Sequence, residues 1–238
     1  MKDRTENVKI IYLLLIIKLL NNNNLLLYLY FKMKANNSFS LMIVPGNNCS
    51  NITKGNWYYW LSLELTKHFP DADIICKTMP DPHAAREEFW IPFIKESFQN
   101  SKQQTLYVVG HSSGAVAIMR LLETFNVKGS VIVSGCVTDL GDDNERKSGY
   151  YPTQPNGDNR PWEWSKMKSN SGWIMQFAGE DDQFIPIDEM REIRDQLGLS
   201  KDFYFEFNKV KGKGHFMQKE FPELLEALVK QINNDFKV

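Results

Sequence analysis

From residue 39 onward, short apolar segments alternate with longer segments whose apolar residues recur at helical spacing. The strand-like segments are Phe39–Val44, Asp73–Cys76, Thr105–Val109, Ser130–Ser134, Trp173–Phe177 and Phe203–Phe207. The helical segments are Trp57–Phe69, Arg86–Phe98, Ala115–Phe125, Ile187–Leu197 and Glu220–Ile232. Strands joined through helices run parallel, and helices then cover both faces of their sheet. This α/β pattern predicts a three-layer α/β/α sandwich with a mostly parallel sheet, which binds ligands beyond the carboxyl ends of its strands.

One of these strand-to-helix junctions carries a chemical motif. Gly110-His111-Ser112-Ser113-Gly114 follows a β-branched strand and begins an Ala-rich helix. A G-x-S-x-G pattern in this context is typical of a nucleophile elbow, a tight turn that lifts a serine hydroxyl above the sheet edge. Glycines beside the turn let strand and helix approach without a clashing Cβ, and the helix N-terminus favours negative charge. We predict that Ser112 is a nucleophile and that the chain has the α/β-hydrolase fold.

A serine hydroxyl needs a base, and the chain has four histidines. His215 follows the last predicted strand and precedes the last helix, which is where this fold presents its base. His111 lies inside the elbow and is better explained as structural. His68 is expected on a solvated helix face, and His83 follows Asp-Pro as a helix-start residue.

The third member of such a triad is a carboxylate that holds the imidazole tautomer and stabilises its charged form. It should follow the penultimate strand, and Asp182 stands there, three residues after Gly179 and four before Pro186. Asp181 is the near alternative, and Asp139, which follows an earlier strand, is the more distant one. The order Ser, Asp, His along the chain is the one that α/β-hydrolases use.

Two backbone N–H groups are needed to stabilise the oxyanion of an acyl-transfer intermediate. One should belong to Ser113, which follows the nucleophile, and the other to the loop after the first strand. That strand stops at Pro45-Gly46, and Asn tolerates the unusual backbone angles of such a loop. Asn47 is the first choice there and Asn48 the second.

The segment Thr138–Asn159 interrupts the alternation because it is polar and rich in Asp, Asn, Gly and Pro. A loop this long in a compact domain is usually functional or disordered, and its position after a strand puts it over the mouth of the site. Trp162 and Trp164 follow it. We predict that at least one of the two lines an apolar substrate pocket. The alternative is that both pack a short helix onto the core.

Composition excludes several functional classes. The 28 Lys and Arg residues nearly balance 29 Asp and Glu residues. The chain therefore has no excess positive charge that would attract a nucleic acid or an anionic membrane, and we predict neither as a partner. The three cysteines, Cys49, Cys76 and Cys136, share no metal-ligand spacing and are typical of reduced thiols. The sequence has neither a clustered ligand set nor a phosphate-binding glycine loop, and we predict no metal and no organic cofactor.

The first 38 residues differ in character from the rest. Two apolar runs, Ile10–Leu20 and Leu25–Phe31, lie on either side of four asparagines, and each is too short to span a bilayer. We predict a poorly ordered or spurious extension over residues 1–38 and one hydrolase domain over residues 39–238, in the cytoplasm and also, as an alternative, in the nucleus. The alternative interpretation of residues 1–38 is a membrane anchor or a signal.

Several segments together resemble one known family. They are Ile43–Asn47, Met79–Pro82, Ala85–Glu87, Gly110–Ala115, Asp139–Asp142, Asn144–Arg146, Ser148–Tyr150, Arg160–Trp164 and Gly214–Phe216. Across most of the chain, the sequence resembles the retinoblastoma-binding protein 9 family of small serine hydrolases. The resemblance implies an α/β-hydrolase fold and the triad positions Ser112, Asp182 and His215.

Two departures from the family limit what the resemblance implies. The segment Pro152–Asn159 looks like an insertion in the loop over the site, which leaves the family's substrate preference open. The Leu-x-Cys-x-Glu motif associated with binding of retinoblastoma protein is absent, and Ser97–Gln104, near its expected place, has no cysteine. Retinoblastoma protein is therefore not predicted as a partner.

These observations predict a serine hydrolase that cleaves a small ester or amide, in a small molecule or a short peptide, through an acyl-enzyme on Ser112. A non-catalytic protein-binding module on the same fold is the main alternative, because fold alone does not establish activity. Such a module would be expected to lack a triad member. A membrane-anchored hydrolase is the second alternative and depends on residues 1–38.

Overall fold

The computed structural model describes residues 38–101, 103–153, 156–208 and 212–236. The predicted extension and its alternative, a membrane anchor, fall almost wholly on residues 1–37, which lie outside the described residues. The predicted domain boundary therefore stays a prediction. In the part of the chain that the structure describes, no helix is both long and apolar enough to cross a membrane.

Six strands form one sheet in the order β2-β1-β3-β4-β5-β6, and each neighbouring pair is parallel. The strands are β1 (Ser40–Val44), β2 (Asp73–Ile75), β3 (Leu106–His111), β4 (Gly129–Val133), β5 (Ile174–Gly179) and β6 (Tyr204–Phe207). The predicted parallel sheet is confirmed. Because all strands point the same way, the loops that follow them meet at one edge of the sheet.

Helices connect the strands and cover both faces of the sheet. They are α1 (Tyr58–His68), α2 (Glu87–Gln99), α3 (Ser113–Leu122), α4 (Asp143–Ser148), α5 (Trp164–Ser169), α6 (Ile187–Leu197) and α7 (Pro222–Asp235). One apolar core holds buried side chains of α2, α3 and α6, and a second core on the opposite face holds those of α1 and α7. The three-layer sandwich is thereby confirmed.

Strand β1 shows how the sequence builds these two cores. Its side chains alternate, so that Met42 and Val44 lie in one core and Leu41 and Ile43 in the other. All four are fully buried. A central parallel strand is covered on both sides, which is why this segment is apolar throughout and not only at every second residue.

The irregular segment Thr138–Asn159 contains a helix that its composition does not predict. Helix α4 is short and polar, so it has no apolar periodicity to be recognised by. Its start is set by Asp142, whose carboxylate accepts hydrogen bonds from the N–H groups of Asn144 and Glu145, and its end by Gly149 at φ 90°. The expectation that this segment is loop throughout was wrong for these residues.

Candidate active site

Ser112 lies at the junction between β3 and α3 with φ 55° and ψ −124°. A positive φ is strained for a residue with a Cβ, so the surrounding structure must enforce it. A Cβ built on Gly110 would lie 2.4 Å from the carbonyl oxygen of Gly114, and one built on Gly114 would lie 2.4 Å from those of Val44 and Pro45. The two glycines allow this close approach, and the junction has the backbone expected of a nucleophile elbow.

His215 and Asp182 meet above the same edge of the sheet. The His215 Nδ1 lies 2.7 Å from Asp182 Oδ2, and both side chains are almost completely buried. Asp182 follows β5, and His215 follows β6, as the sequence predicts. A carboxylate only accepts, so Nδ1 carries the hydrogen and Nε2 is left as the basic nitrogen.

The Asp182 carboxylate has further donors. Its Oδ2 also accepts from Ser134 Oγ at 2.9 Å, and its Oδ1 accepts from the N–H groups of Phe184 and Ile185 at 2.9 and 3.0 Å. Burial opposes ionisation, but the hydrogen bond and charge of His215 together with the two N–H groups outweigh it, and the pKa of Asp182 lies below its usual value. The carboxylate is therefore held ionised and in one orientation.

The two alternative acids have other roles. The Asp181 carboxylate accepts from the N–H of Gly214 at 3.0 Å and so ties the acid loop to the histidine loop. Asp139 accepts from Arg146 Nε at 2.8 Å and from the N–H of Gly141 at 2.9 Å. The structure brings Asp182, and neither of these two, to the His215 ring.

A cavity of about 830 Å³ opens above Ser112 and His215. Its volume is in the range of small-molecule sites. The irregular segment contributes Leu140, Asp142, Asn144, Glu145 and Tyr151 to its lining, so its first part, up to Tyr151, does lie over the site. Phe184 and Met217 also line the cavity and are more than half exposed, which gives its mouth an apolar rim.

The loop after β1 packs directly against the nucleophile. A Cβ built on Gly46 would lie 3.1 Å from Ser112 Cβ. The N–H of Gly46 donates to the Tyr58 hydroxyl at 3.1 Å, and the N–H of Asn48 donates to the Pro82 carbonyl at 2.6 Å. The N–H of Asn48 is therefore already used, which favours Asn47 over Asn48 as the oxyanion donor. Asn47 and Ser113 both line the cavity.

Buried side chains behind the elbow link this loop to the histidine loop. His111 Nε2 lies 2.7 Å from the carbonyl oxygen of His215, so it must carry the hydrogen and donate. His111 Nδ1 is then an acceptor for the Tyr58 hydroxyl, 2.6 Å away. Burial lowers the pKa of His111 to about 3, which keeps the ring neutral. This agrees with a structural role for His111, whereas Tyr58 gave no signal in the sequence beyond that of a core aromatic residue.

The two tryptophans predicted at the pocket do not line the cavity. Trp162 lies in the core, where its Nε1 donates to the Val137 carbonyl at 2.9 Å and its ring covers the Arg120 guanidinium at 3.8 Å. Trp164 is half-buried and packs against the same core. The pocket prediction is corrected in favour of the alternative, because Arg120 is a buried cation that needs an aromatic and polar cage.

The segment Pro152–Asn159 also lies elsewhere than expected. Its described residues do not line the cavity above Ser112. Asn156 instead borders a separate groove beside α2. An antiparallel bridge between Thr153 and Asn159 closes the segment on itself.

Among the described residues, no three His, Cys, Asp or Glu side chains lie where they could hold one metal ion. Cys136 lines the cavity as a buried thiol, and burial raises its pKa above its usual range. His83 also lines the cavity, and its Nδ1 lies 3.0 Å from Asn48 Oδ1. The groups in the cavity suit acyl transfer at a serine hydroxyl.

Comparison with known proteins decides the family. A family model described as serine hydrolase matches residues 41–231. The chain belongs to the serine hydrolase family. The serine hydrolase RBBP9 of Rattus norvegicus is 39% identical over 187 residues, which are 79% of this chain and 92% of that protein. The resemblance to the retinoblastoma-binding protein 9 family and the prediction of a serine hydrolase are both confirmed.

Solved structures of other proteins have the same architecture as this serine hydrolase. The ydeN gene product of Bacillus subtilis has a TM-score of 0.65 at 20% identity and covers 82% of this chain and 98% of its own. The esterase Pf2001 of Pyrococcus furiosus has a TM-score of 0.57 at 13% identity, with 85% and 86% of the two chains covered. Est1E of Butyrivibrio proteoclasticus has a TM-score of 0.57 at 12% identity, with 82% and 87% covered. These likenesses confirm the α/β-hydrolase fold.

Proposed function

We propose that this serine hydrolase cleaves a small ester or amide through an acyl-enzyme on Ser112, with His215 as base and Asp182 as the acid that orients it. The observation that carries the proposal is the 2.7 Å contact between His215 Nδ1 and Asp182 Oδ2 beside an elbow serine in a shared cavity. Three loops at one edge of a parallel sheet bring together residues that are far apart in the chain.

The chemistry follows the roles of these groups. His215 Nε2 takes the hydroxyl proton as Ser112 Oγ bonds to the substrate carbonyl carbon, and Asp182 stabilises the imidazolium. The N–H groups of Asn47 and Ser113 receive the oxyanion. As the tetrahedral intermediate collapses, the bond to the leaving alcohol or amine breaks and His215 returns the proton to it. Water, activated by the same histidine, then releases the acid and frees Ser112.

The substrate is expected to be a small molecule or a short peptide. A cavity of about 830 Å³ with an apolar rim and polar side chains beside the nucleophile suits an acyl group of that size. The placement in the cytoplasm, the absence of a nucleic-acid or membrane partner and the absence of a cofactor remain predictions from composition.

A fluorophosphonate probe tests the nucleophile. The wild type should be labelled, with the adduct mapped by mass spectrometry to the peptide that contains Ser112, and Ser112→Ala should not be labelled. Ser50→Ala changes an exposed loop serine and serves as the matched control. Circular dichroism should show that both variants are folded. Labelling that persists in Ser112→Ala would refute the proposal, and an unlabelled wild type would favour a non-catalytic binding module.

A further inference from the structure

Glu145 is a carboxylate in the lining of the cavity that the triad chemistry does not use. It lies in the first turn of α4, and its own N–H donates to the Asp142 carboxylate at 2.9 Å. An ion pair between Arg146 Nε and Asp139 Oδ2, at 2.8 Å, ties the same helix to the loop after β4. The first contact caps the start of the helix, and the second holds the residue after Glu145 against that loop.

The Glu145 carboxylate contacts the two residues that are expected to supply the oxyanion donors. Its Oε1 accepts from Asn47 Nδ2 at 3.1 Å and from Ser113 Oγ at 3.5 Å. Asn47 belongs to the loop after β1, and Ser113 begins α3. One carboxylate oxygen therefore joins two segments whose backbone N–H groups must point at a common position.

The second carboxylate oxygen is also held. Glu145 Oε2 accepts from the Tyr151 hydroxyl at 2.7 Å, and this hydroxyl lies 3.3 Å from Cys136 Sγ. Because the hydroxyl hydrogen points at the carboxylate, the thiol is the donor in the second contact. Burial raises the pKa of Glu145, partly offset by the hydrogen bonds of Tyr151 and Ser113. The Glu145 carboxylate therefore makes its hydrogen bonds with protein donors rather than with solvent.

We propose that Glu145 is a positioning residue for the reaction: by binding the side chains of Asn47 and Ser113, it holds their backbone N–H groups in the geometry that receives the oxyanion. This inference rests on the proposed acyl transfer at Ser112. It adds a residue that touches neither the nucleophile nor the base. Oxyanion contacts strengthen as the carbonyl becomes tetrahedral, so loss of their alignment lowers kcat and leaves substrate binding largely unchanged.

The variants Glu145→Ala and Glu145→Gln test this role in a steady-state assay with an activated ester. Deleting a whole oxyanion donor lowers kcat by about 10²–10³-fold, and loss of alignment should cost less, about 10- to 100-fold for Glu145→Ala. KM should stay within about threefold of the wild type. Glu145→Gln keeps an acceptor oxygen for both donors and should recover part of the loss. Glu88→Gln makes the same change on an exposed side chain and is the matched control.

A double-mutant cycle distinguishes positioning from a general loss of structure. Asn47→Ala removes the side-chain amide that Glu145 binds but keeps the backbone N–H. If Glu145 acts through Asn47, Glu145→Ala should lower kcat less in the Asn47→Ala background than in the wild type. Additive effects would overturn the proposal. Active-site titration with the fluorophosphonate probe corrects every kcat for the folded fraction.

The outcomes separate this inference from the proposed function. If the wild type is labelled at Ser112 and Glu145→Ala keeps its kcat, only the positioning role is refuted. A rise in KM at constant kcat would assign Glu145 to substrate binding and would also overturn it. A wild type that neither reacts with the probe nor hydrolyses esters would refute both proposals.

Discussion

Replacing Trp162 by alanine is expected to destabilise the protein without changing its selectivity between substrates. The ring lies in the core that holds the buried side chains of α2, α3 and α6, with 9% of the residue exposed. One of its faces covers the guanidinium of Arg120, a side chain that is fully buried and ion-paired with Glu123 at 2.6 Å. Arg120 also donates to the carbonyl groups of Tyr150 and Arg160, and these hydrogen bonds fix the backbone that precedes Trp162.

The size of the effect follows from these contacts. Truncation of a buried Trp to Ala costs about 3–5 kcal/mol of unfolding free energy. Leaving the Val137 carbonyl without its donor costs about 1–3 kcal/mol, part of which that range already contains. We therefore expect a loss near the upper end, about 4–5 kcal/mol. At about 2–4 °C per kcal/mol for a domain of this size, the melting temperature should fall by about 8–20 °C.

Two further variants dissect that loss. Trp162→Phe keeps an aromatic face over Arg120 and removes the indole N–H, so it should cost about 1–3 kcal/mol, less than Trp162→Ala. Trp164→Ala removes a half-buried ring next to the same core and should cost about 1–2 kcal/mol. Neither change alters the lining of the cavity.

Melting curves and kinetics together distinguish a core role of Trp162 from a role in the substrate pocket. Each variant is assayed with a short and a long acyl ester, and kcat/KM is expressed per titrated active site. For Trp162→Ala, we expect kcat/KM to change by the same factor, relative to the wild type, with the short and the long ester. A selective loss with the long ester at an unchanged melting temperature would refute the core assignment and restore the pocket role.

Two other predictions concern the elbow and the acid. Gly114→Ala should reduce stability by about 1–3 kcal/mol and lower kcat more than it raises KM, because its Cβ would collide with the backbone carbonyl groups of Val44 and Pro45, at the end of β1 and the start of the loop that follows it. Near-wild-type kinetics would contradict this. Since the pKa of Asp182 is lowered on folding, its stabilising contribution is present above the ordinary value of about 4 and is lost as pH falls through the folded-state value. The difference in melting temperature between wild type and Asp182→Asn should accordingly shrink as the pH is lowered below about 4. A difference that stays constant would show that the charge contributes nothing.

The third strand is longer than its apolar pattern predicts. The third strand continues through Gly110 and His111, which pair with Ile132 and Val133 of β4. Glycine is depleted in strands and histidine is polar, so the apolar pattern stops before them. Their extended conformation comes from the ladder to the neighbouring strand, which is a tertiary contact.

The sequence by itself determined the layer architecture and predicted the chemistry of the site. Apolar periodicity reports burial, so it separates strands from helices and orders them along the chain. Parallel strands align their carboxyl ends, and this alone predicts that residues following different strands, such as Ser112, Asp182 and His215, lie near one another. The motif at the elbow then says which chemistry to expect.

Only the tertiary structure decided which side chains meet within that edge. Asp181 and Asp182 are adjacent in the chain, and the path of one loop turns the first to Gly214 and the second to His215. Trp162 belongs to the core because a buried arginine lies beneath it, and Glu145 reaches Asn47 across 98 positions of sequence. Periodicity encodes whether a residue is buried and carries no information about its partner, because partners are set by packing between segments that are distant in the chain.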